Sequence, residues 1–147
     1  MKTELTKEQS QHLIDLGVPK EKASKVAWAR ITDFKGDKIP ENEQMRGVGD
    51  KPFSMMHVGF ESFKTDDIFT LEDFLNGDIL PKEIVYYEDY NSEFTLQWNC
   101  SIQKWDVGYM YNTGFWKKTR YSFEELIDGL YKLACWYYGE YLKNKEK

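Results

Sequence analysis

The sequence has little of what membrane proteins, disulfide scaffolds and metal sites require. Its 147 residues include only two cysteines and two histidines. No apolar run approaches the roughly 18 to 20 residues of a membrane span, and the N-terminus opens into a polar helix pattern rather than a signal segment. We therefore expect a cytoplasmic protein with reduced thiols, no metal site and no membrane association.

Catalytic motifs are missing as well. No serine or cysteine lies in a nucleophile motif, and the stretch 46–50, Arg-Gly-Val-Gly-Asp, lacks the Lys-Ser/Thr pair of a phosphate loop. Cys100 and Cys135 fall among apolar neighbours, so we expect buried, inert thiols. The sequence predicts neither an enzyme nor a cofactor.

The charge pattern argues against a nucleic-acid partner. The formal net charge is −5, and residues 51–100 carry three basic and ten acidic side chains. Such a chain is poorly suited to phosphate backbones. A solvated face is the simplest explanation of the acidic middle, with a basic partner or a bound cation as the alternatives.

The last part of the chain predicts a long helix over 121–142 that covers a sheet. Ser122 followed by Glu125 has the spacing of a capping box. The basic tail, 143–147, suits the negative end of the helix dipole. The apolar residues that recur at intervals of three and four are Phe123, Leu126, Ile127, Leu130, Leu133, Ala134, Tyr137 and Tyr141.

The first half of the chain predicts helices and then an irregular region. Thr6 and Gln9 form a capping box that opens a helix ending near Gly17, and Pro19 suits a second helix over 20–29. The two make a helical hairpin over 1–29. Residues 30–64 lack periodicity, so we expect an irregular or extended segment there, with 35–50 poorly protected in amide exchange.

A change of period marks a sheet in the second half. Thr70 and Asp73 form the capping box of a short helix that ends before Pro81. Residues 84–88, 94–100 and 105–111 then alternate with a period of two, the pattern of an antiparallel meander. The sequence therefore predicts a single α+β domain, in which a small antiparallel meander packs against the long C-terminal helix.

Three motifs carry a resemblance to a known group. They are Phe-Thr-Leu-Glu-Asp-Phe-Leu at 69–75, Leu-Pro-Lys-Glu-Ile at 80–84 and Glu-Leu-Ile-Asp-Gly-Leu at 125–130. With the opening helix, they resemble small proteins of gut bacteria and their prophages or mobile elements. That group carries no established activity, so the resemblance implies an origin and transfers no functional residue.

The aromatic content is the one unusual feature, at 16% of the residues. Packing in the core is the simplest explanation, but rings on an uncovered sheet face would make efficient contact surface. We expect a non-enzymatic accessory or protein-interaction module that binds another protein or a second copy of itself. A small-molecule or carbohydrate-binding domain is the alternative. The candidate interaction surface comprises Phe53, Met55, Met56, Phe60, Trp105, Tyr109 and Trp116.

Overall fold

The first helix begins and ends as its sequence predicts. In the computed structural model, which describes residues 1–51, 59–76, 78–85, 91–111 and 120–145, helix α1 spans Lys7–Leu16. The Gln9 N–H donates to Thr6 Oγ1 at 3.1 Å, and the Thr6 N–H donates to Gln9 Oε1 at 3.0 Å. The helix ends at Gly17, whose φ of 117° lies in the left-handed region that favours glycine.

The prediction of a second helix over 20–29 is wrong. After one 3₁₀ turn at Lys20–Lys22, the chain forms strand β1 (Lys25–Thr32). This strand is central in its sheet and is paired on both sides. Ladder hydrogen bonds on both sides outweigh the helix preference of the alanines at 27 and 29.

The irregular region expected over 30–64 is also wrong in part, because it contains the whole of one strand, the end of β1 and the start of a third strand. Strands β2 (Arg46–Asp50) and β3 (Ser62–Ile68) lie antiparallel to β1 on its two sides, in the order β2-β1-β3. The low amide protection expected for 35–50 stays a prediction, and the pairing of β2 argues against it at that end. The extended segment expected at 53–58 lies outside the described residues.

The short helix α2 (Leu71–Asn76) confirms the second capping box. The Asp73 N–H donates to Thr70 Oγ1 at 3.2 Å, and Asp73 Oδ2 accepts from the Thr70 N–H at 2.9 Å. The same carboxylate oxygen accepts from the Ser24 N–H at 3.0 Å. One buried side chain therefore caps α2 and holds the start of β1.

The predicted meander is confirmed, and it has one more strand than expected. Strands β4 (Glu83–Val85), β5 (Asn91–Asn99), β6 (Lys104–Tyr111) and β7 (Tyr121–Phe123) form an antiparallel sheet in sequence order. β7 takes the residues that were expected to open the closing helix. It pairs with the start of β6, where Asp106 faces Ser122.

The closing helix starts later than predicted. It begins at Leu126, and Glu125, at its N-cap, makes no capping hydrogen bond through its side chain. The Ser122 hydroxyl, expected to cap the helix, donates instead to Asp106 Oδ1 at 2.5 Å. A hydrogen bond to a buried carboxylate stabilises the fold more than one at an exposed helix end. Ser122 therefore lies in strand β7 and does not cap the helix.

The closing helix runs without a break to Lys145. It comprises α3 (Leu126–Trp136), a π-helical turn (Tyr137–Tyr141) and α4 (Leu142–Lys145). It covers the second sheet so closely that Gly129 lies against Val107 of β6. One buried cluster joins both halves of the chain: Leu5, Leu13, Val18, Ala23, Phe69, Phe74, Ile79, Leu80, Ile84, Val107, Tyr109, Leu126, Ile127, Leu130, Leu133, Ala134 and Tyr141.

Candidate functional site

The residues of the predicted interaction surface do not share one surface. Phe60 is 76% exposed, as expected. Tyr109 is fully buried in the core, and Trp105 packs partly buried against that core, edge to face with Trp98 at 5.5 Å between ring centroids. The prediction is therefore wrong for Tyr109, which is fully buried, and for the half-buried Trp105 it stays a prediction. The four others lie outside the described residues: Phe53, Met55, Met56 and Trp116.

Tyrosines of the core have a structural task. Three hydroxyls donate to backbone carbonyl oxygens of the segment between α2 and β5. The donors Tyr138, Tyr109 and Tyr141 reach the carbonyls of Ile79, Pro81 and Val85 at 2.6, 2.8 and 2.8 Å. Burial raises the pKa of Tyr109 and of Tyr138, with a further contribution from neighbouring tyrosines. The phenols of Tyr109 and Tyr138 therefore stay protonated, and all three hydroxyls serve as donors that fasten the segment between α2 and β5.

An exposed aromatic pair stands at one end of the first sheet. Phe34 is 57% exposed and Phe60 is 76% exposed. They are joined through the backbone, because the Phe60 N–H donates to the Phe34 carbonyl at 3.1 Å. Gly59 makes this turn possible, since its φ is 67° and a side chain there would collide with the Phe34 carbonyl. Phe60 is thus the one predicted surface residue that the described structure exposes.

A groove of about 1190 Å³ lies on one face of the first sheet. Its floor is set by the strand register. Ala27 lies between Val48 and Asp66, and Ala29 lies between Arg46 and Lys64. Two alanines on the central strand leave space where a branched or aromatic side chain would fill it. We define the binding groove by this floor.

The opposite face of the same sheet is filled rather than hollow. Side chains alternate along a strand, so Trp28 points away from the two floor alanines. Its ring lies over Gly47, where an added Cβ would stand 2.7 Å from the ring. Trp28 also packs edge to face on Phe63, with centroids 6.2 Å apart. The sheet therefore has one packed face and one open face.

The chain before and after the floor forms the two walls of the groove. One wall is the segment 4–8 at the start of α1, and the other is the loop 38–44. The loop is held in place because the Ile39 N–H donates to the Ile31 carbonyl at 2.9 Å, and Gln44 Nε2 donates to the Ile39 carbonyl at 3.1 Å. The charged lining residues balance in sign: Glu4, Lys7, Glu8, Lys38, Glu41, Arg46, Lys64 and Asp66.

Sequence reasoning missed this groove because its floor was read as helix. The only local signal is Ala27 and Ala29 at alternate positions of a segment that otherwise carries valine, tryptophan and threonine. Alternating small residues indicate a hollow only once the segment is known to be a strand. The second strand was also missed, because the two glycines of the 46–50 stretch are typical of a loop.

A buried carboxylate in the second sheet forms a further polar centre within the described structure. Asp106 is fully buried, and it accepts hydrogen bonds from Ser122 at 2.5 Å, Arg120 Nη2 at 2.9 Å and Asn99 Nδ2 at 3.2 Å. Burial alone would raise the pKa of this carboxyl, but the three donors together hold it below its ordinary value. An acid held so firmly ionised suits a structural tie between β6 and β7, not proton transfer near neutral pH.

No metal site forms among the residues that the structure describes. Two acidic residues of the 51–100 region have structural roles, since Asp73 caps α2 and Asp67 pairs with Lys51 at 2.5 Å. Both cysteines are free, but Cys100 is exposed, which corrects the expected burial. Cys135 is half-buried, and burial raises the pKa of its thiol. That shift disfavours the thiolate, so Cys135 is a weak nucleophile.

The comparisons with known proteins leave the site without a relative. A scan against protein-family models, a search of curated proteins and a search of solved structures each find no match to this chain. The resemblance to proteins of gut bacteria and prophages therefore stays a prediction. Within the described parts of the chain, no helix is both long enough and apolar enough to cross a membrane.

Proposed function

We propose that this protein is a non-enzymatic protein-interaction module whose binding groove takes an extended segment of a partner protein. The observation that carries the proposal is the pair of floor alanines, Ala27 and Ala29, which leave one face of a three-stranded sheet hollow between two ordered walls. A groove with an apolar floor and a charged rim has the anatomy of a protein–protein interface. An extended chain matches its shape, since it lies flat along strands.

The charges around the floor favour one kind of segment. Arg46 and Lys64 flank Ala29 on the two neighbouring strands. Neighbouring strands lie about 5 Å apart, so an acidic side chain above Ala29 stands within reach of both cations. The position above Ala27 lies between Val48, which is 44% exposed and favours an apolar side chain, and Asp66, which disfavours an acidic one. We expect a segment in which an acidic residue and an apolar residue both face the floor.

Two features support this proposal over an enzyme. Among the described residues of the groove there is no histidine or cysteine, so the groove lacks the commonest general base and the most reactive nucleophile. Asp106, whose carboxyl has a lowered pKa and is alone in this among the carboxyls that the structure describes, lies in the other sheet and is enclosed by its own donors. The hydrogen bond from Ser122 to Asp106, which holds β7 against β6, gives this carboxylate a structural role.

A carbohydrate- or small-molecule-binding domain is the second candidate. The pair Trp98 and Trp105 stands at the end of the β5–β6 hairpin, and Trp98 is 49% exposed beside Ile102, which is 50% exposed. Exposed rings of this kind stack on sugars. Loss of saccharide binding in Trp98→Ala, with the groove intact, would favour this second function.

We further propose a cytoplasmic location and an origin in a phage or mobile element. The two free cysteines support the location, because secreted domains of this size usually use their cysteines in disulfides. The motif resemblance alone supports the origin.

The experiment is a selection of random displayed peptides on the full chain, followed by fluorescence anisotropy with the peptides it enriches. Ala29→Phe places a ring in the groove at a strand position that tolerates aromatic residues. We expect this variant to weaken binding at least tenfold, about 1.4 kcal/mol. Lys64→Glu should weaken the binding of those peptides that carry an acidic residue.

The matched control is Thr65→Phe. Thr65 is an exposed residue of the same strand as Lys64, and it faces the other side of the sheet beside Trp28. It adds the same ring outside the groove, so peptide binding should be unchanged. Failure to enrich any peptide, or equal losses in Ala29→Phe and Thr65→Phe, would overturn the proposal.

A further inference from the structure

Strand β2 is an edge strand with an exposed side. It lies at the end of the order β2-β1-β3, and among the described residues only β1 pairs with it. Its exposed residues alternate: Arg46, Val48 and Asp50 are exposed, while Gly47 and Gly49 are half-buried. An open strand edge is a template for a further strand.

The register identifies which backbone groups of β2 point outward. The Arg30 N–H donates to the Met45 carbonyl, and the Lys51 N–H donates to the Ser24 carbonyl. Hydrogen-bonded pairs alternate along an antiparallel ladder. Gly47 and Gly49, opposite Trp28 and Val26, therefore turn their backbone groups toward β1. The N–H and C=O groups of residues 46, 48 and 50 point away from β1.

The side chains of residues 46, 48 and 50 are complementary to those of a second, antiparallel copy of the strand. Read in the opposite direction about Val48, the strand Arg-Gly-Val-Gly-Asp places an aspartate where the first copy has an arginine. Val48 then faces Val48, and Gly47 faces Gly49. On its other face the strand itself carries only these two glycines, and the Trp28 ring of β1 lies over Gly47.

We propose that two copies of this chain pair antiparallel through β2, about a two-fold axis at Val48, and join their three-stranded sheets into one. The pairing forms about six backbone hydrogen bonds, two for each facing pair. On the groove face, Arg46 of each copy stands opposite Asp50 of the other, with the two Val48 side chains between them. The two binding grooves, which both include Arg46 and Val48, then lie side by side on one face of the joined sheet.

A second copy is favoured over another protein by this charge pattern. Any extended chain can satisfy the backbone edge, but only a strand with the charges in reverse order matches both Arg46 and Asp50. The strand itself meets that condition. Opposite charges on facing positions favour pairing, and like charges on those positions oppose it. The short strand makes a small interface, so the dimer is expected at micromolar or weaker affinity.

The first experiment is sedimentation velocity of the full chain over a concentration series up to about 1 mM, at about 0.15 M salt to screen the net charge of each copy. We expect a reversible monomer–dimer equilibrium. Arg46→Asp and Asp50→Arg each place like charges opposite one another and should weaken the dimer about tenfold or more. The double variant carries the charges in swapped order and should return the dimer affinity to within about threefold of the original chain.

Val48→Pro provides a second test that does not depend on charge. The Val48 N–H points outward, so proline removes no hydrogen bond to β1 and blocks the partner strand. We expect a folded monomer, with folding checked by circular dichroism. A monomeric natural chain throughout the series, or a dimer unaffected by Arg46→Asp, Asp50→Arg and Val48→Pro, would overturn the inference.

Amide exchange by NMR locates the contact. As concentration rises, the amides of Arg46, Val48 and Asp50 should gain protection, while those of Gly47 and Gly49 should stay as they are, since β1 already protects them. Association elsewhere on the surface would not produce this alternation. No peptide is present in these measurements, so this inference and the proposed groove function fail or succeed separately.

Discussion

Two glycines of the closing helix make opposite predictions for the same substitution. Gly129 packs against the second sheet, and a Cβ added there would stand 2.7 Å from Val107 Cγ2 and 3.6 Å from Phe123 Cδ2. Val107 is fully buried and β-branched, so rotation about its χ1 is restricted. For Gly129→Ala to be accommodated, the helix itself has to move away from β6.

The magnitude follows from two opposing contributions. Alanine stabilises a helix interior by about 1 kcal/mol relative to glycine. Forcing an extra carbon into a packed core costs about 1 to 3 kcal/mol. The contact at Gly129 is closer than any van der Waals contact between carbons, so we take the upper part of that range. We expect Gly129→Ala to lower the free energy of unfolding by about 1 to 2 kcal/mol.

Gly139→Ala is the matched control in the same helix. A Cβ at this position would lie 3.5 Å from Leu16 Cδ2, which is ordinary contact with the end of a side chain. The helix preference is then unopposed, and the free energy of unfolding should rise by up to about 1 kcal/mol.

The assay is urea denaturation of both variants, with the midpoint compared at constant slope. In a Val107→Ala background, which removes the colliding methyl groups, Gly129→Ala should lose most of its cost. Equal midpoints for Gly129→Ala and Gly139→Ala would refute the reasoning.

Two further predictions concern titratable groups. The pKa of Asp106 is lowered in the folded protein, so its stabilising contribution is present above the unfolded pKa near 4 and is lost as pH falls through the folded pKa. Asp106→Asn should therefore lower the free energy of unfolding at pH 7 by about 1 to 3 kcal/mol and flatten the acid limb of a curve of stability against pH. An unchanged acid limb would contradict this. Cys100 is exposed while burial raises the pKa of Cys135, so a thiol reagent should label Cys100 quickly and Cys135 slowly, and equal rates would contradict the structure.

The sequence correctly predicts those features whose interacting residues lie close together along the chain. The Thr6–Gln9 and Thr70–Asp73 boxes need only a serine- or threonine-like oxygen and an acceptor three residues later. The β5–β6 pairing needs only alternation and a short connection. In each case the two partners lie within about one turn or one hairpin of each other, so the local pattern contains the whole interaction.

The Ser122–Glu125 box shows where such a pattern fails. It has the same spacing as the other two, yet β7 forms and the helix begins at Leu126. The difference is Asp106, sixteen positions earlier, whose buried carboxylate takes the Ser122 hydroxyl. A cap contributes about 1 kcal/mol, whereas an unsatisfied buried charge costs more. The competing partner is distant in sequence, so the local pattern cannot reveal it.

Strand β2 and the binding groove were hidden for a related reason. Gly47 and Gly49 in a five-residue stretch read as loop, because glycine weakens an isolated strand. In the structure Gly47 has a specific use: it makes room for the Trp28 ring of the neighbouring strand. That packing turns one face of the sheet into a filled layer and leaves the alanines on the other face as the floor of the groove. The same glycines leave the edge strand with side chains on one face only, so the residues that concealed the strand are also the ones that fit it to pair with a copy of itself.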